Sequence, residues 1–182
     1  DLNCTYNLIS ELTIGANLKL KNLNCSNNKL AKLNLQNNTK LISLSCSKNK
    51  LIKLNLEGII LLKHIDCIEN KLKTLNIKGL NNLEELYCYI NKLTKLNLEG
   101  LSNLQYLSCW MNELMEINLK GLKKLKTLYC RANLLSEINV LGLTNLEILS
   151  LEDNLITNIE INHLYHLYAM SCAENEITNI KL

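Results

Sequence analysis

Proline and phenylalanine are both absent from this 182-residue sequence, and aromatic residues amount to only 4%, as seven tyrosines and one tryptophan. A core of ordinary proportions uses phenylalanine freely. Leucine and isoleucine must fill this one, which implies a thin, layered interior with little room for rings. Excess charge is missing too: a net charge of +3 is too small to argue for a nucleic-acid partner. No apolar run approaches the ~18 residues that a membrane-spanning helix requires, because polar residues interrupt every few positions. Asp1-Leu2-Asn3-Cys4 starts neither the basic nor the apolar stretch of a secretion signal. No C-x-x-C or Cys/His cluster offers convergent metal ligands. His64, His163 and His166 have no nucleophile or paired carboxylate at matching positions, so no enzyme, metal or cofactor is expected.

What is present is a globular balance of 47% apolar and 20% charged residues. The charge is unevenly spread. Residues 1–91 hold 12 lysines against 7 acidic residues, a balance of +5, whereas residues 92–182 hold 8 basic against 10 acidic residues, a balance of −2.

The eight cysteines stand at positions 4, 25, 46, 67, 88, 109, 130 and 172, in steps of 21 with one step of 42, and Leu151 fills the skipped slot. Three residues after each of these positions comes an asparagine: Asn7, Asn28, Asn49, Asn70, Asn91, Asn112, Asn133, Asn154 and Asn175. Gly58, Gly79, Gly100, Gly121 and Gly142 follow the same step. Such self-similarity predicts a solenoid whose units each need their neighbours to bury an apolar face. Leu107-Ser108-Cys109 alternates as a short strand with Leu and Cys inward. Stacked units then build a parallel sheet with strands about 4.8 Å apart, roughly 40 Å long. Ile117-Asn118-Leu119 reads as a second extended piece, and Gly121 turns the chain into Leu122–Leu125, one helical turn at most.

One unit shows the pattern L-x-x-L-x-C-x-x-N-x-L at Leu104, Leu107, Cys109, Asn112 and Leu114. It resembles the leucine-rich repeat family, and within it the bacterial 21-residue cysteine-ladder repeats of the internalin J kind. The resemblance covers residues 1–182 as one domain of about nine repeats. It implies a leucine-rich repeat solenoid with a parallel β-sheet on one face and short extended or 3-10 segments on the other. By the same resemblance the chain is an extracellular or bacterial cell-surface protein, an adhesin or host-interaction module that binds a protein partner.

On this reading the cysteines form a buried ladder of small polarizable hydrophobes. Disulfides between neighbours are disfavoured because parallel, in-register Cβ vectors do not point at each other. A leucine in the eighth slot can replace packing but no thiol chemistry. The asparagines are expected to satisfy backbone groups of the turn and of the adjacent unit.

Function then falls to the positions that vary, on the outward strand face. Both ends of that face are small and polar. Tyr87, Tyr89, Tyr106, Trp110 and Tyr129 gather on three consecutive units, bordered by Arg131, Ile68, Ile90 and Met111, with Glu85 in the same columns. Tyr, Trp and Arg dominate binding hot spots, so these residues are the expected protein-binding site. The competing reading is cross-strand stacking of rings that serves the fold alone.

Lys29, Lys50, Lys71 and Lys92 follow the asparagine in four successive units. They read first as a solvated edge that guards against aggregation, and second as a site for an anionic glycan. No nucleic-acid partner is expected from so narrow a basic strip. Finally, residues 1–182 show no convincing polar cap at either end of the repeat pattern, where internalin-like proteins carry one. With the charge split, this makes end-to-end self-assembly into oligomers or fibres the alternative function.

Overall fold

A computed structural model describes residues 1–15 and 19–182. Its strands are β1 (Leu2–Asn3), β2 (Asn22–Asn24), β3 (Ser43–Ser45), β4 (His64–Asp66), β5 (Glu85–Tyr87) and β6 (Tyr106–Ser108), followed by β7 (Thr127–Tyr129), β8 (Ile148–Ser150), β9 (Asn158–Glu160), β10 (Ala169–Ser171) and β11 (Asn179–Lys181). β1 to β8 and then β10 form one parallel sheet in chain order. Each strand pairs with the one 21 residues on, Leu44 opposite Ile65, Leu86 opposite Leu107 and Leu128 opposite Leu149. The middle residue of each strand from β2 to β8 is buried, and its neighbours face outward. The expected solenoid is therefore present, at the expected period.

The core is almost wholly leucine, isoleucine and cysteine. Cys25, Cys46, Cys67, Cys88, Cys109 and Cys130 are 0% exposed, and so is Leu151 in the cysteine slot of the eighth unit. All eight thiols are free. Sγ of Cys109 lies 3.3 Å from Sγ of Cys130, a weak S–H···S contact along the ladder. Burial pushes the Cys25 thiol up to about 12 and the Cys46 thiol well above its ordinary value.

The turn after each strand is held by the asparagine. Nδ2 of Asn133 donates to the carbonyls of Cys130 (2.9 Å) and Arg131 (3.3 Å) in its own unit, and to Cys109 O (3.2 Å) in the preceding one. Its Oδ1 accepts the N–H of Leu114, again one unit back, at 3.1 Å. Asn28, Asn49, Asn70, Asn91, Asn112, Asn154 and Asn175 repeat the cross-unit pair of bonds. To bring the amide underneath the loop, the residue before it adopts a left-handed conformation in every unit, with φ from 50° at Met111 to 56° at Asn27. Ile90, β-branched at φ 53°, carries the greatest steric penalty of the set.

The opposite side contains no helix among the described residues and turns through two consecutive β-turns, within the expected limit of one helical turn. Leu122 N–H donates to Leu119 O and Leu125 N–H to Leu122 O, with Gly121 between them at φ +89°. A second asparagine column starts these turns: Oδ1 of Asn118 accepts the N–H of Lys120 at 3.0 Å, and Asn34, Asn55, Asn76, Asn97 and Asn139 do the same two residues on. Extended pairing on this side is confined to an Asn55–Asn76 bridge and the parallel pair β9–β11, among the described residues.

Three outcomes are expected. Asn133→Ala leaves a buried N–H and several carbonyls without partners and should cost about 1–3 kcal/mol in urea unfolding. Asn7→Ala should cost less, because that amide reaches only Cys4 O and Thr5 O of its own unit. Ellman's reagent at pH 8 should label the half-buried Cys4 and Cys172 first, and the other six thiols only after unfolding.

Candidate functional site

The aromatic residues stand on the outward face of β5, β6 and β7 and on the residues that follow these strands. Register puts Ser108 between Tyr87 and Tyr129. The small serine leaves room for the Tyr106 ring, which lies 4.7 Å from the Tyr87 ring and 5.8 Å from the Tyr129 ring, at interplanar angles of 33° and 55°. Ser108 is buried between them, as Ser150 is in the next unit but one along the same column.

A second row runs parallel to the first. The Tyr89 and Trp110 rings stack at 4.3 Å and 14°, and the Arg131 guanidinium carbon sits 4.4 Å from the centre of the Trp110 ring. The strand period places these three side chains one unit apart, so ring, ring and guanidinium form a continuous pile along the solenoid axis.

Charged groups border both rows. The Tyr87 hydroxyl donates to Oε2 of Glu85 at 3.3 Å, and the same oxygen lies 3.2 Å from Nδ1 of His64. Burial, with the Glu85 carboxylate second, pushes the Tyr87 phenol up to about 12. Burial also raises the Asp66 carboxyl, against the opposing hydrogen bonds from the Ile68 N–H and the Ser47 hydroxyl. At the other border, burial works against ionisation of Glu152, but hydrogen bonds from Ser150 and Ser171 and the nearby Arg131 charge outweigh it and lower its pKa.

The structure brings Tyr87, Tyr89, Tyr106, Trp110, Tyr129 and Arg131 together around one concavity of about 460 Å³, which Ser108, Ser150 and Glu152 complete. A neighbouring concavity of about 460 Å³ shares Tyr87 and Tyr89 and adds Ile68, Glu85, His64 and Asp66. Met111 lines neither. It occupies the left-handed turn position beyond Trp110, as Ile90 does one unit earlier. Ser108, Glu152 and Asp66, and His64 as a member of this face, have no mark in the sequence beyond standing in the same outward columns as the rings.

A larger groove of about 820 Å³ lies on the opposite side, lined in part by Ile138, Val140, Ile159, Glu160 and His163. It holds no cluster of rings, and its Glu160 is already paired with Lys181 at 3.3 Å. The aromatic face therefore offers the denser set of anchors. No group of three His, Cys, Asp or Glu side chains suited to a metal ion occurs among the described residues.

No family model and no curated protein matches the chain. Solved structures do. The functional domain of InlJ from Listeria monocytogenes, which includes a cysteine ladder, is 28% identical with a TM-score of 0.76, over 94% of this chain and 43% of that one. A leucine-rich repeat protein of Leptospira interrogans is 26% identical with a TM-score of 0.91, over 98% of this chain and 50% of that one. Internalin C2 from Listeria monocytogenes is 30% identical with a TM-score of 0.74, over 85% of this chain and 72% of that one. The chain belongs to the leucine-rich repeat family. This leucine-rich repeat chain thus spans about half the length of the first two structures it matches.

The stacked geometry yields a measurable coupling. Tyr89→Ala and Trp110→Ala, each made alone and together, should show an interaction energy of about 0.5–1.5 kcal/mol in a double-mutant cycle followed by urea unfolding. Tyr89→Ala with Met111→Ala should be additive.

Proposed function

We propose that this sheet face is the binding surface of a non-enzymatic protein-interaction module, of adhesin or host-interaction type, displayed on or secreted from a bacterial cell. The observation that carries this reading is the Tyr89–Trp110–Arg131 pile. Its three members are the residue types most enriched in binding hot spots. They are already stacked, so docking freezes few rotamers and loses little entropy.

The fold does not require them. The same column carries Thr5, Ser26, Ser47 and Ala173 in other units, with the same turn beneath each. Ring stacking is real here, yet it supplies only part of what the rings offer, since each remains half-buried rather than enclosed. The flanking groups suit recognition: a phenol held protonated, carboxylates on β4, β5 and beside β8, and one guanidinium. Similarity to the internalins supports the assignment to a bacterial surface.

The test is an array of immobilised host extracellular and secreted proteins, probed with the purified protein and with Y89A/W110A. At least one bound protein should lose about tenfold or more in affinity with the double variant, while circular dichroism and thiol protection report an intact fold. If every bound protein retains its affinity for the variant, the rings serve the solenoid alone.

A further inference from the structure

The side wall that follows each ladder asparagine carries a charge pattern that the fold does not explain. Lys29 and Lys32, Lys50 and Lys53, Lys71 and Lys73, and Lys92 and Lys95 occupy exposed positions of this wall in four successive units, while Leu30, Leu51, Leu72 and Leu93 between them point into the core. The segments 29–32, 50–53, 71–74 and 92–95 contain no acidic residue. Among the described residues none of these eight ammonium groups is ion-paired. In the next two units the same wall carries Glu113, Glu116 and Glu137 instead.

Protection of an open strand edge does not account for the lysines. The N–H groups of Lys29, Lys50, Lys71 and Lys92 donate to Ile9, Leu30, Leu51 and Leu72 of the preceding unit, each at 2.9 Å, so the wall has a closed backbone. Nor does the solenoid need lysine there. Glu113, Leu134, Leu155 and Glu176 fill the same slot with the same hydrogen bond, at 2.9, 2.9, 2.9 and 3.1 Å. Stacking like charges about 4.8 Å apart is unfavourable, which makes an uncompensated run of them a poor choice for stability alone.

We propose that this wall binds a linear acidic polysaccharide, carboxylated or sulfated, laid along the solenoid axis. The strip is long and narrow: one column is lysine in all four units, the second holds Lys32, Lys53 and Lys95 with Lys73 one residue out of line, and it extends about 15 Å at the strand spacing. That shape matches one extended polyanion. Lysine ammoniums act as point charges, whereas arginine supplies the planar fork that phosphates and bases favour; the chain's arginine, Arg131, lies on the sheet face instead. No aromatic side chain stands on the wall to stack a nucleobase. Ile52 is the one large apolar residue exposed within the strip, too little to anchor in a bilayer.

The experiment is fluorescence anisotropy at pH 7 with a fluorescein-labelled heparin oligosaccharide, a labelled oligothymidylate, and vesicles of phosphatidylserine in phosphatidylcholine. The protein should bind the heparin probe most tightly, with an affinity that falls at least about tenfold from low to physiological salt. K50E/K53E/K71E/K73E should weaken it by at least about tenfold, whereas K40E/K78E/K120E/K123E, with the same change in net charge on the turns of the opposite side, should stay within about threefold. K50Q/K53Q/K71Q/K73Q, which removes the charge without reversing it, gives the same readout if the reversed variant loses its circular dichroism spectrum. Equal losses in the wall and control variants would reduce the effect to net charge and overturn the proposal. Tighter binding of the oligonucleotide or of the vesicles would overturn it in favour of those partners.

Discussion

Everything in this chain depends on one side-chain amide per unit. Parallel strands of three residues are too short to hold a sheet by their own ladder, and the turn after each strand leaves carbonyls facing the core. The asparagine fills both gaps at once, because its two N–H donors and its carbonyl reach the backbone of two units together. No other side chain of that size offers donor and acceptor in one rigid plane: aspartate loses the donors, serine the reach, leucine both. The left-handed residue before it is the consequence. A non-glycine residue is held at positive φ in every unit because the amide needs the chain folded over it, and the strain is offset by bonds that a relaxed turn would leave unmade.

That division of labour frees other positions. The cysteine slot needs only a small inward hydrophobe, so leucine at 151 sits there equally buried. The outward strand positions need only extended backbone, and therefore accept serine in the early units and tyrosine or tryptophan in the middle ones. The side wall likewise accepts lysine, glutamate or leucine over an unchanged hydrogen bond. Variation at these places does not affect the scaffold, and this is why both the ring cluster and the lysine strip read as additions to the fold.

Legibility in the sequence followed the same line. The period, the parallel sheet, the inward cysteines and the bonding role of Asn112 and its equivalents could be read because each repeats with one physical demand per slot. On the return side, Asn118 belongs to a second column whose turn-starting bond the alternating Ile-Asn-Leu pattern does not reveal, and the i→i+3 bonds after it form two consecutive β-turns, within the limit of one helical turn that the sequence sets. Ring membership was legible from column position alone, whereas pairing was not. Nothing local marks Ser108 as the gap that lets Tyr106 bridge Tyr87 and Tyr129, since that depends on which residues the 21-residue register sets side by side. Met111, adjacent to Trp110 in sequence, occupies the left-handed turn position and lines neither concavity.

The stacked rings answer an objection to reading them as a surface for partners, namely that a cluster so well packed has already spent its apolar area on itself. Lateral stacking consumes ring edges and one face of each neighbour. It does not enclose the pile, because the sheet supplies a floor but no lid, and the outer rim of each ring stays in water. The guanidinium of Arg131 closes one end of the pile with a charge that faces Glu152 in the next unit. What stacking removes is motion. On the proposed reading, a partner would meet a rigid surface of alternating apolar and polar chemistry, bounded by carboxylates at Asp66 and Glu85 on one side and at Glu152 on the other. Rigidity of that kind raises affinity by lowering the entropy lost on docking, so the packing of the rings and their availability to a partner work in the same direction.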